Sequence, residues 1–146
     1  MKLHTWFAFA LLLAVLGAPA VPATADSGFK VIVHPSNPVS SLSRDQAARL
    51  FLKKTLFWPN GAKVTPVDQP DSAALRAAFS RSVLQKNMAE VAAYWQQQIF
   101  TGKAVPPTEK TSDAQVVRFV MDNALAVGYV ADAADVNGAK VLRITN

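Results

Sequence analysis

The sequence predicts an α/β layered domain, a largely parallel sheet flanked by helices. Three observations lead there. Short β-branched apolar runs recur at residues 29–33, 64–67, 127–130 and 141–144, as expected of buried strands. Between them lie longer stretches with apolar residues at helical spacing. Proline, glycine and polar clusters separate the two kinds of segment. Strands alternating with helices form layers in which each strand crosses over to the next through a helix.

The elements follow in order. The run 29–33 ends in His34-Pro35-Ser36-Asn37-Pro38, whose two X-Pro steps hold the backbone extended or turning. Ser43 and Gln46 have capping-box spacing and open a helix with Ala47, Leu50 and Phe51 on one face. Trp58-Pro59-Asn60-Gly61 is a turn signal before the strand 64–67. A helix is expected over about 72–84, with Leu75, Ala78, Phe79 and Val83 in register. Asn87 and Glu90 repeat the cap spacing, followed by a stripe of Met88, Val91, Ala92, Trp95 and Ile99. Gly102 and Pro106-Pro107 close that element. Ser112 and Gln115 cap the next helix, with Val116, Phe119 and Val120 inward.

The start of the chain reads differently. Lys2, an apolar run from Trp6 to Leu16, and Ala23-Thr24-Ala25 together make a secretory signal peptide over 1–25. The run is shorter than the ~20 residues of a membrane span. Cleavage after Ala25 would leave a single domain at 26–146 in the periplasm, with no membrane insertion afterwards. The chain has no cysteine, so export would bring no disulfides.

Composition excludes several functions. The formal charge is +5, but the densest basic pair is Lys53-Lys54, and no basic stripe interleaves with aromatics. Nucleic-acid binding is therefore unsupported. A metal site is not expected, since His34 is the one histidine beyond the leader and Asp132 and Asp135 lack a third ligand. No nucleophile elbow, paired-carboxylate spacing, P-loop or dinucleotide fingerprint is present. The chain reads as a non-enzyme without cofactor. Trp95 belongs to its helix stripe and reads as core.

One segment carries ligand chemistry: Val67-Asp68-Gln69-Pro70-Asp71-Ser72-Ala73-Ala74-Leu75-Arg76. It runs from a strand end into a helix start, where backbone N–H groups point outward and favour an anion. The candidate anion loop is Asp68, Ser72, Ala73, Ala74 and Arg76. The small residues admit an anion, the Ser72 hydroxyl and Arg76 can hold it, and Asp68 opposes it. The alternative is structural: Asp71 or Ser72 caps the helix and Arg76 is a surface cation.

The order Val31-Ile32-Val33-His34-Pro35-Ser36-Asn37-Pro38-Val39, Leu42-Ser43, Leu50-Phe51-Leu52-Lys53-Lys54, Trp58-Pro59-Asn60-Gly61, Arg76-Ala77-Ala78-Phe79 and Ala126-Val127-Gly128-Tyr129-Val130 resembles the PstS-like substrate-binding proteins of phosphate ABC transporters. The resemblance implies one lobe of a type 2 periplasmic-binding fold, as a stand-alone member. It also implies that Asp68 stands where the family has an arginine, and that Ser72 or Ala73-Ala74-Leu75 replaces a Ser-Gly-Thr turn. Two functions follow from it. One is an exported module binding phosphate or another small anion weakly. The other is an interaction module that kept the lobe and lost the ligand. In the second, a homodimer or protein partner would cover the face of the missing lobe, around 35–39, 68–72 and Gly128. An Asp68 carboxylate capping the Ser72 helix would favour the second, and free N–H groups the first.

Overall fold

The structure is a computed structural model that describes residues 28–146. The signal-peptide reading and its cleavage point lie outside the described residues. The elements are β1 (Phe29–Val33), β2 (Ser41–Ser43), α1 (Arg44–Phe51), β3 (Thr65–Asp68), α2 (Ala74–Phe79), a π-helical turn at Ser80–Leu84, α3 (Met88–Phe100), β4 (Thr108–Glu109), α4 (Asp113–Asp122), β5 (Ala126–Ala131) and β6 (Lys140–Thr145). They build one six-stranded sheet in the order β2-β6-β1-β5-β3-β4.

The sheet is more mixed than the sequence suggests. The pairs β2–β6, β3–β5 and β3–β4 are parallel, but β1, near the centre, runs antiparallel to both β5 and β6. The cause is the last connection. Residues 132–139 carry the chain from β5 back across β1 to β6 without a helix. Their Ala134, Val136 and Ala139 pack on the same apolar cluster as α4. β5 and β6 therefore flank β1 in the same direction.

Period-2 alternation divides the core between the two faces. Val31, Val33, Val127 and Tyr129 join α1, the α2 segment and α3 in the larger cluster. Ile32, Ala126 and Val130 join α4 in the smaller one. Gly128 is the close-approach position of that second face. A Cβ there would lie 2.6 Å from Val67 Cγ1 and 2.7 Å from Val116 Cγ1, so only glycine lets α4 settle onto the sheet.

Local signals operate as read. Ser43–Gln46 and Asn87–Glu90 form reciprocal capping boxes, and the Ser112 hydroxyl accepts from Gln115 N–H. Gly61 takes a positive φ of 84° and closes the Trp58 turn through a 2.8 Å bond to the Trp58 carbonyl. Trp95 is core, while Ala92 and Ile99 of the expected α3 stripe are exposed. The reason is that α3 packs over a narrow line, Val91 and Trp95. Tyr94 ties it down by donating to the Leu52 carbonyl at 2.7 Å.

The helix expected from Ser72 starts later and changes pitch. α2 begins at Ala74, its N-cap is Ala73, and no side chain caps it. After Phe79 the helix widens into the π-turn, which ends at Gln85 in the left-handed conformation (φ 54°).

Candidate functional site

The segment 67–76 lies at the C-terminal end of β3. Register fixes its surroundings. β3 is parallel to β5 and β5 is antiparallel to β1, so this end of β3 meets the end of β5 and the start of β1. The 35–39 turn follows the other end of β1, where Lys140 of β6 donates its ammonium to the Asn37 carbonyl. The two segments expected to share one face thus sit at opposite ends of the sheet. Gly128, the third member of that expected face, is buried beneath α4.

Asp68 is buried, at 7% exposure. Its carboxylate does not cap a helix. Oδ1 accepts from the Tyr129 hydroxyl and, at 2.8 Å, from Gln69 N–H. Oδ2 lies 3.3 Å from Arg76 Nη2. Burial raises the Asp68 carboxyl above the usual range, against the opposing pull of Arg76, Tyr129 and the Gln69 amide. Burial, and then the Asp68 charge, push the Tyr129 phenol far above the ordinary tyrosine range, so it stays a donor. Its ring is stacked on Phe79, with centroids 3.9 Å apart, and edge-on to Phe29 and Phe51.

Arg76 is more buried still, at 3% exposure, which removes the surface-cation reading. Nη1 donates to the Gln69 carbonyl at 2.7 Å and pairs with Asp71 at 2.6 Å and Glu109 at 2.8 Å. Burial disfavours its charge, but Asp68, Glu109 and Asp71 outweigh that, and the guanidinium pKa rises above its ordinary value. One cation therefore faces three carboxylates. Arg76 Nε and Ser80 Oγ, one helical turn apart, are the two buried side-chain polar atoms without a hydrogen-bond partner among the described residues.

The rest of the loop is wetter. Ser72 and Ala74 are exposed and Ala73 is half-buried. The turn is closed by Ala73 N–H donating to the Pro70 carbonyl at 2.9 Å. Gln69 anchors it from beneath, donating to the Tyr129 carbonyl at 3.1 Å and to Asp113 at 2.9 Å. Structure thus brings Asp68 and Arg76 into one ion pair and leaves Ser72 outside it.

Sequence reasoning missed Glu109, Tyr129, Gln69 and Asp113. Tyr129 had a signal, since alternation from Val127 puts it on the core face with a hydroxyl that needs a partner. Glu109 had none, because a two-residue strand carries no periodicity. The remaining candidates stay bland. His34 closes its own turn, with Nδ1 2.6 Å from the Ser36 hydroxyl. Asp135 accepts from Asn137 N–H, and no group of three potential metal ligands occurs among the described residues.

No family model and no curated protein matches the sequence. Solved structures do match. A protein from Clostridium perfringens described as a phosphate ABC transporter substrate-binding protein, with bound phosphate, superposes with a TM-score of 0.64 at 21% identity. The match covers 80% of this chain and 44% of that one. An ABC-type phosphate transport receptor from Vibrio cholerae gives 0.62 at 19% identity, over 80% and 46% of the two chains. PstS from Borrelia burgdorferi gives 0.63 at 11% identity, over 82% and 47%. The chain spans less than half the length of each of these proteins, and its fold is that of a PstS-like lobe.

Proposed function

We propose that the chain is an exported, non-catalytic PstS-like binding module of the periplasm that holds free phosphate or another small anion no more tightly than about millimolar and works by contact with a larger partner. One observation carries this reading: Arg76, the cation of the candidate loop, is buried against Asp68, Asp71 and Glu109. An incoming anion would have to displace the exposed Asp71 and Glu109 carboxylates from Arg76 Nη1 and would then face the buried Asp68 carboxylate left behind. Among the described residues no helix is long and apolar enough to cross a membrane, which is consistent with a module free of the bilayer.

A second reading keeps a low-affinity anion site at Ser72, Ala73, Ala74 and Arg76. It is favoured by the uncapped start of α2 and by the unpartnered Arg76 Nε. Titration calorimetry with inorganic phosphate tests the weak affinity that both readings require. The expected result is no saturable heat below about millimolar phosphate, and a clear micromolar isotherm would overturn the first reading. Asp71→Asn/Glu109→Gln should strengthen phosphate binding if the carboxylates are what excludes it.

A further inference from the structure

The other end of β3 carries positive charge in the opposite arrangement. A groove of about 420 Å³ lies there, built from three segments. The end of α1 and the turn after it supply Leu50 and Lys53, the turn before β3 supplies Leu56 and Lys63, and the loop after α3 supplies Lys103 and Val105. The segments are tied together. Val64 N–H donates to the Leu56 carbonyl at 2.9 Å, and Lys53 reaches the Pro106 carbonyl at 3.5 Å. Leu56 and Val105 are large apolar side chains left 49% and 62% exposed.

None of the lining residues is acidic, and among the described residues the ion pairs involve Asp45, Asp68, Asp71, Glu109 and Asp122 with arginines alone. The ammonium of Lys53 is pulled below the usual lysine range by burial and then by Lys63, so the groove holds mutually repelling charge that an acidic occupant would relieve. The chemistry of the occupant follows from both halves of the lining. Three ammonium groups select carboxylates. Exposed leucine and valine select apolar side chains set between them. No aromatic side chain lines the groove, so the stacking platform that single-stranded nucleic acid uses is missing.

We propose that this groove docks an acidic segment of a partner protein, in which carboxylates alternate with aliphatic side chains. The site is separate from the Arg76 cluster, so it stands or falls independently of the phosphate titration.

Fluorescence anisotropy tests it with a short labelled peptide alternating glutamate and valine. Saturable binding is expected, weakening several-fold as salt rises from about 50 to about 200 mM because the pairs are solvent-exposed. Lys63→Glu/Lys103→Glu should lower the affinity by at least about tenfold, the scale of one or two lost charge contacts. Lys63→Arg/Lys103→Arg should retain it, and Asp71→Asn should leave it unchanged. Circular dichroism checks that each variant is folded. Equal binding of a lysine–valine peptide, no saturable binding, or indifference to the charge reversal would overturn the proposal. So would co-sedimentation with phosphatidylglycerol vesicles in the absence of peptide binding, which would make the patch a lipid-surface contact.

Discussion

At one end of β3 a single arginine is buried among three carboxylates, and at the other three lysines line an open groove with none. The two ends are separated by one short strand, yet they follow different rules. A buried cation must be paired, because desolvation of an unpaired charge costs several kcal/mol. Arg76 has that pairing in excess, with Asp68, Asp71 and Glu109 all within ion-pair distance. Two of the groove lysines, Lys63 and Lys103, are exposed, keep their hydration and need no partner. They can remain available to one. Positive charge in this protein is therefore usable where it is wet and structural where it is dry.

The contrast between the two ends is hit hardest at Arg76. Arg76→Met should destabilise the fold by about 3–5 kcal/mol at neutral pH, because it strands the buried Asp68 carboxylate. Urea denaturation reads this directly. A loss under about 1 kcal/mol would mean that the cluster does not hold the fold together.

The platform beneath both ends is tested next. Gly128→Ala should cost about 1–3 kcal/mol, since its Cβ meets Val67 and Val116 inside contact distance. Adding Val116→Ala should recover part of that loss in the same denaturation assay.

A smaller effect is carried by pH. The folded-state pKa of Asp68 lies above the ordinary carboxylate value. Its protonated form therefore favours folding. That contribution is fully present below the unfolded value of about 3.9 and is lost as pH rises through the folded value. Wild type should lose stability relative to Asp68→Asn as pH climbs through that window, at a slope of up to about 1.4 kcal/mol per pH unit. Parallel stability–pH curves for the two proteins would remove Asp68 as a titrating group.

The smallest effect lies at the open end. Lys63→Glu/Lys103→Glu should change stability by no more than about 0.5 kcal/mol, as solvated surface charges do. Differential scanning calorimetry would show it. A large loss there would mean that these lysines, like Arg76, serve the fold.

Much of this molecule could be read from its residues because the relevant physics is local. Capping boxes at Ser43 and Asn87, the turn at Gly61 and the apolar face of α1 depend on neighbours three or four residues away. β-branched runs announced β1, β3, β5 and β6. Even the resemblance carried by the order of short motifs pointed to the right fold. The candidate site was half legible. The strand-to-helix turn and its two charged residues stood out, but Asp68 and Arg76 could not be seen as partners of one another. Nor could Glu109 and Tyr129 be recruited, since they lie 33 and 61 residues away from Arg76 and Asp68 respectively.

The sequence by itself determined the four longer strands, the capped starts of α1, α3 and α4 and the position of the loop, because periodicity, capping and turn chemistry act over a few residues. Tertiary structure alone decided the antiparallel setting of β1, the separation of 35–39 from 68–72, and the burial of Arg76 among carboxylates. Those depend on which strands become neighbours. Burial is a property of the assembled layers, and it is burial that set the candidate anion-binding arginine within an ion-pair cluster.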